Sequence, residues 1–121
     1  MCLLFGGSAM NYDNCIVKWN INTLKTLVWE CMTMPHYQAL FVTNDFVTKS
    51  LVKDWCKMAL RQNAEIKSDT ITFPNGSSIK FIGTKTTARG YRVHKILIDD
   101  NVDSKTIEEV LKPYIRDYCE N

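Results

Sequence analysis

Two adjacent carboxylates, Asp99 and Asp100, close the run K95-I-L-I-D-D100 directly behind three apolar residues. An apolar strand ending in paired acids is one way nucleotide-hydrolysing proteins hold magnesium beside phosphates, with Asp99 as the metal-side acid. The same two acids can equally end a strand and cap the helix that follows. A second feature is Gly6-Gly7-Ser8, placed after the apolar run Cys2–Phe5, where a phosphate-cradling loop belongs. A third is a run of cations without an intervening acid: Lys80, Lys85, Arg89, Arg92 and Lys95, together with His94. Such a stretch can contact phosphates, DNA or an acidic partner, or can be a solvated loop.

These residues need elements to position them. Cys2–Phe5 reads as a buried strand closed by a turn at Gly6-Gly7, and C15-I-V-K-W19 fits a strand or the first turns of a helix. Ile21, Leu24, Val28 and Cys31 recur at helical spacing, with Asn20 or Asn22 as N-cap and Pro35 as the limit. The run A39-L-F-V-T43 has the near-continuous apolar character of a strand covered on both faces. Asn44-Asp45 then caps a helix in which Val47, Leu51, Trp55 and Met58 form the expected core stripe, with Lys49, Lys53 and Lys57 on another face.

Alternation in D69-TITFPNGSSIKFIG-T84 predicts a β-hairpin turning at Pro74-Asn75-Gly76-Ser77. Lys95–Ile98 is a further buried strand, and Ile107, Val110, Leu111 and Ile115 suggest a last helix, broken or kinked by Pro113. Trp19, Trp29 and Trp55 are expected to pack in the core or on helix faces, and Tyr91 to be partly buried. The order implies an α/β fold with a mostly parallel central sheet, flanking helices and an inserted β-hairpin. In such a sheet Gly6-Gly7, Asn44-Asp45 and Asp99-Asp100 share the carboxyl edge, where ligands collect.

The 121 residues suffice for one domain, 1–121, and 45% of them are apolar. No apolar run approaches the roughly 20 residues that span a bilayer, and the N-terminus has no basic region before its short apolar stretch. The expectation is a cytoplasmic protein without a membrane partner. Five cysteines at widely spaced positions, with no C-x-x-C pair, read as reduced, buried thiols rather than a zinc site.

Taken in order over roughly residues 39–100, the A39-L-F-V-T43 strand and its helix, the hairpin, A88-R-G-Y-R92 and K95-I-L-I-D-D100 resemble the ATPase domain of phage terminase large subunits, the motors that package viral DNA. The resemblance implies a P-loop NTPase-like fold, truncated here. It implies that Asp99 holds magnesium through its water shell and that Asp100 stands where the family carries a water-activating Glu. It also implies that Arg89-Gly90 lies near the nucleotide edge, where Arg89 senses phosphate, contacts DNA or bonds loop carbonyls.

The chain departs from that pattern upstream. A phosphate loop needs a lysine in G-x-x-x-x-G-K-[ST]. With Gly6 as the first glycine those last three positions are Asn11-Tyr12-Asp13, and with Gly7 they are Tyr12-Asp13-Asn14. Neither register supplies a cation, and Asp13 would repel phosphate. Asp100 is also one methylene shorter than Glu, and a misplaced base costs about a hundredfold in rate. The leading expectation is therefore a catalytically inactive, terminase-like viral protein that binds a partner from the packaging machinery or from the host and its defences, with no cofactor. One alternative is an ATPase using magnesium and ATP at Asp99 and Asp100 with Gly6, Gly7 and Ser8. Another is a nucleic-acid-binding module using Lys85, Arg89, Arg92 and Lys95.

Overall fold

The computed structural model describes residues 15–85 and 91–118. The proposed first strand Cys2–Phe5, the loop residues Gly6, Gly7 and Ser8, and Arg89-Gly90 lie outside the described residues. The elements are β1 (Ile16–Lys18), α1 (Ile21–Thr33), β2 (Gln38–Val42), α2 (Phe46–Leu60), β3 (Glu65–Ile66), β4 (Thr70–Thr72), β5 (Ser78–Ile82), β6 (Lys95–Ile98) and α3 (Ser104–Thr106). They form an α/β fold with one six-stranded mixed sheet in the order β1-β6-β2-β5-β4-β3. The first four strands in that order are parallel, and β4 and β3 add antiparallel.

Local sequence accounts for most boundaries. Asn20 accepts from the Thr23 N–H at 2.9 Å while the Thr23 hydroxyl accepts from the Asn20 N–H at 2.8 Å, a reciprocal cap that starts α1. The helix stops at Thr33 because Met34, preceding Pro35, is forced into the extended region. The segment Cys15–Trp19, open between helix and strand on sequence, supplies β1, paired in parallel with β6. The hairpin turns where its residues predict, with Gly76 at φ 90°, a conformation open to glycine at little cost. Its second strand is no appendage: β5 pairs in parallel with β2 from Gln38↔Ser78 to Val42↔Ile82.

Both helices lie on one face of the sheet. Leu24, Leu27, Val28 and Cys31 of α1, and Val52, Cys56 and Leu60 of α2, close over Ala39, Phe41, Ile79, Phe81 and Leu97. On the other face Leu40, Val42, Ile96 and Ile98 meet Val93, Val102, Leu111 and Ile115. Strand β2 is apolar at successive positions because both of its faces are covered. Cys31 and Cys56 are free and fully buried, acting as small apolar side chains.

Three sequence expectations need correction. The stripe Val47, Leu51, Trp55, Met58 does not enter the core: Val47, Leu51 and Met58 are exposed and Trp55 is half-buried. Helix α2 is rotated so that Val52, Cys56 and Leu60 face inward. The stems of Lys49 and Lys53 lie beside them while the ammonium groups reach Asp69 and the Ser68 carbonyl. Trp29, expected to pack, is 64% exposed. The single last helix is replaced by three short turns: α3, a π turn at Ile107–Leu111 and a 3-10 turn at Lys112–Tyr114. Pro113, which has no N–H to give, accompanies that change of winding. Among the described residues no helix is long and apolar enough to cross a membrane.

Candidate functional site

Parallel register brings the carboxyl ends of four strands level. Lys18 and Val42 both stand opposite Ile98, and Val42 also stands opposite Ile82. The ladder then runs one step further, with the N–H groups of Trp19, Thr43 and Asp99 donating to the carbonyls of Ile98, Ile82 and Val42 at 2.8, 3.0 and 3.0 Å. Thr43 and Asp99 are thus neighbours at the edge where the adjacent strands β2 and β6 lead to opposite faces, β2 to α2 and β6 to the segment holding Val102, Leu111 and Ile115, the kind of crevice in which α/β sheets bind ligands. As the sequence suggested, Asn44-Asp45 and Asp99-Asp100 share this edge.

The geometry at Asp99 is closed. The Thr43 hydroxyl donates to Asp99 Oδ2 at 2.6 Å, and the Asp100 N–H donates to Oδ1 at 2.8 Å. The carboxylate-bearing residue is 8% exposed. Thr43 Oγ1 in turn accepts from the Asp45 N–H at 2.9 Å. Asp45 then caps α2, accepting from the Val47 N–H and the Thr48 hydroxyl at 3.0 Å each. Asn44 and Thr84 exchange a reciprocal pair of hydrogen bonds at 2.7 and 2.9 Å, tying the ends of β2 and β5 together. The acid the sequence marks for magnesium therefore sits inside a loop-fixing network that reaches the start of α2. Asp100 is exposed.

A magnesium ion asks for hard oxygen ligands around a near-octahedral shell. Here both Asp99 oxygens already accept hydrogen bonds and the Thr43 proton is committed to one of them. Among the described residues no group of three carboxylate, histidine or cysteine side chains converges. The described side chains at this edge offer one buried carboxylate, Asp99, with the Thr43 hydroxyl beside it.

Beside this network, an open groove of about 550 Å³ is lined by Thr43, Lys49, Asp69, Thr70, Lys80, Phe81, Ile82, Gly83 and Tyr91. It forms because the Phe81 N–H makes its bond to the Asp69 carbonyl where β4 begins, so the end of β5 continues past its neighbour. Lys49 lies over the Phe81 ring, 5.9 Å from its centroid, and is ion-paired with Asp69. That ammonium holds the Asp69 carboxyl below the usual range, by hydrogen bonding first and by charge second. Lys80 stands 5.6 Å over the Tyr91 ring, and among the described residues it forms no salt bridge. Tyr91 is half-buried, as expected, with its ring edge-on to Tyr114 at 5.3 Å.

The basic segment is divided by the fold. Lys85 and Arg92 are exposed and follow the groove residues Gly83 and Tyr91 in the chain. Lys95 begins β6 and so lies at the opposite end of the sheet from Asp99. Its side chain is 14% exposed and pairs with Glu30 at 3.3 Å. Glu30 also accepts from the Tyr37 hydroxyl at 3.3 Å, and burial, followed by the Glu30 charge, pushes that phenol up from its usual pKa. Lys95 belongs to this packing cluster and does not join Lys85 and Arg92. Thr43, Lys49 and Asp69 were not among the predicted site residues. Thr43, a hydroxyl closing a buried strand, was the one with a readable signal.

Comparison of the chain with family models, with curated proteins and with solved structures returned no match.

Proposed function

We propose that this chain is a terminase-like α/β domain with a P-loop NTPase-like ancestry, of viral origin, that acts by binding a protein partner and does not turn nucleotide over. The partner class is the packaging machinery or a host defence protein. The observation that carries this reading is the hydrogen-bond network of Asp99: the acid in the metal position accepts from the Thr43 hydroxyl on one oxygen and from the Asp100 N–H on the other, which gives it a role in the fold. The absence of any lysine from G6-G-S-A-M-N-Y-D-N14 supports it from the sequence side. The two features point the same way: a phosphate loop without its cation lacks its main phosphate contact, and the acid in the metal position has each oxygen engaged by a donor of the protein itself.

The test is calorimetric titration with magnesium and ATP, paired with a phosphate-release assay, on the wild type and on Asp99→Ala. The expected result is a flat titration and no release above buffer for either protein. Micromolar binding or turnover that disappears in Asp99→Ala would sink the reading and restore the ATPase.

One observation favours a second reading, in which the chain binds nucleic acid: the groove carries Lys49 and Lys80, with Lys85 and Arg92 in its flanking segments. Binding of a labelled single strand should then weaken linearly in log affinity against log salt, by a slope of about −0.7 per phosphate neutralised. Lys80→Ala should reduce that slope. No binding at low salt would dispose of this second reading and leave the first in place.

A further inference from the structure

Strand alternation divides the groove between the two faces of the sheet. On β5, Ile79 and Phe81 face the helices, so Lys80 and Ile82 face the other way. Thr70 stands directly opposite Lys80 in the β4–β5 pair and shares its face. Tyr91 belongs to that face too, since it packs against the cluster of Leu40, Val42, Ile96 and Ile98. Lys49 reaches the groove from the helix side, over the Phe81 ring, and Asp69 meets it there.

The two faces differ in charge. The helix side carries the Lys49–Asp69 ion pair, which is neutral as a unit. The opposite face carries the exposed Lys80 and no acidic residue among the groove's lining. Lys80 rests over the Tyr91 ring, 5.6 Å from its centroid. Such a contact positions the ammonium without using an acceptor oxygen, so its N–H groups stay available for an anion. The Thr70 and Tyr91 hydroxyls make no hydrogen bond among the described residues. The apolar cluster on this face takes in β2 and β6 but no residue of β4, which leaves Thr70 and Lys80 uncovered.

Building on the nucleic-acid reading above, we infer that Thr70, Lys80 and Tyr91 form a phosphate-binding subsite for a single strand of nucleic acid, on the face of the sheet opposite the helices. Lys80 supplies the charge, and the two hydroxyls donate to the remaining phosphate oxygens. The Tyr91 ring is already engaged by Lys80 and Tyr114, so it holds the lysine in place and is not a stacking surface for a base. The chain leaves and re-enters this wall through further cations: Lys85 after Gly83, and Arg92 after Tyr91, both exposed. Separate positive charges of this kind suit a strand that repeats its phosphate better than a ligand with a single one.

The experiment is fluorescence anisotropy on the full chain with labelled oligo-dT and oligo-U of about 15 nucleotides, between about 50 and about 200 mM salt. Lys80→Ala should lower the slope of log affinity against log salt by about 0.7, the loss of one neutralised phosphate. Thr70→Val and Tyr91→Phe should each weaken binding by roughly two- to tenfold with the slope unchanged, because a neutral hydrogen bond releases no counterion. Lys57→Ala, the same charge change at an exposed position on α2, should leave both as in the wild type. Circular dichroism checks the fold of each variant, and tighter binding of either strand supports the subsite and names its sugar. A wild type that binds neither strand at the lowest salt removes the nucleic-acid reading and the subsite together. Binding that keeps its slope in Lys80→Ala, or loses as much in Lys57→Ala, overturns the subsite alone and leaves that reading standing. Wild-type affinity in both Thr70→Val and Tyr91→Phe, or tighter binding of a poly-glutamate chain than of either strand, overturns it as well.

Discussion

Replacing Thr43 with valine tests whether Asp99 serves the fold or a ligand. The two side chains have nearly the same shape, so packing around this buried position changes little, but the hydroxyl is lost. Its hydrogen bond to Asp99 Oδ2 at 2.6 Å is charge-assisted and closes off a carboxylate that is 8% exposed. Bonds of that kind contribute about 1.5–3 kcal/mol net. The Asp45 N–H also loses its acceptor, and because it is only partly buried, water replaces much of that bond. Thr43→Val should therefore destabilise by about 2–3 kcal/mol, a large share of the roughly 5–15 kcal/mol that holds a domain together. Thr43→Ser, which keeps the hydroxyl, should stay within about 1 kcal/mol. Urea unfolding followed by tryptophan fluorescence is a suitable assay, since Trp19 packs 5.7 Å from Phe41 in the core. With a urea slope of about 1–3 kcal/mol per molar, the midpoint should fall by about 0.7–3 M. A double-mutant cycle with Asp99→Asn should return a coupling of about 1.5–3 kcal/mol. The reasoning fails if Thr43→Val stays within about 0.5 kcal/mol of wild type, or if Asp99→Asn alone is more stable than wild type. The second outcome is what a ligand-binding acid, kept at a cost to the fold, would give.

Other perturbations separate other parts of the argument. Val52→Ala should cost about 2–3 kcal/mol and Leu51→Ala less than about 0.5 kcal/mol in monomeric protein, measured by urea denaturation; the reverse order would restore the sequence-based face of α2. Gly76→Ala should cost about 1–2 kcal/mol, because φ is 90° and an added Cβ would run into the His36 ring; an unchanged melting temperature would show that the turn relaxes freely. Burial pushes the Cys56 thiol up to about 12 and the Cys31 thiol higher still. A raised folded pKa means the unfolded chain loses its protons first, so stability should decline as pH rises above 9.0, where unfolded thiols ionise. Neither thiol should react with a disulfide reagent near neutral pH until urea is added. On the acid side Asp69 and Asp103 are both held below their usual range by hydrogen bonds from Lys49 and Thr106, so what they contribute is present above 3.8 and lost as pH falls below it. A melting temperature that stays flat between about pH 5 and about pH 2 would contradict this.

What could be read from residues alone was whatever local chemistry decides. The caps of α1, the apolar runs of β2 and β6 and the turn at Asn75-Gly76 each carry their signal within a few residues. The inward face of α2 was not readable, because Val47, Leu51, Trp55, Met58 and Val52, Cys56, Leu60 both recur at helical spacing. Long-range bonds favour the second set: Lys49 and Lys53 reach Asp69 and the Ser68 carbonyl, 20 and 15 residues away. The site divides in the same way. An acid at the end of β6 was visible in the sequence, but its partner Thr43 lies 56 residues earlier, and only the parallel register of β2 with β6 brings them together. Lys95 was grouped with Lys85 and Arg92 by closeness in the chain, although a strand carries it to the far end of the sheet.

The position of β6 has a consequence for how the chain assembles. β6 is wedged between β1 and β2, pairing residues 95–98 with residues 16–18 on one side and 39–42 on the other. β1 and β2 share no hydrogen bonds of their own, so α1 bridges two strands that stay apart until the last strand arrives. During synthesis, β2, β5, β4 and β3 can zip together from nearby segments, while β1 waits for a partner about 80 residues downstream, as in the pair Ile16↔Ile96. Closure of that loop is late and entropically slow. Until it happens, the inner edge of β2 is an unpaired, apolar strand on the growing chain, open to pairing with any other nascent copy.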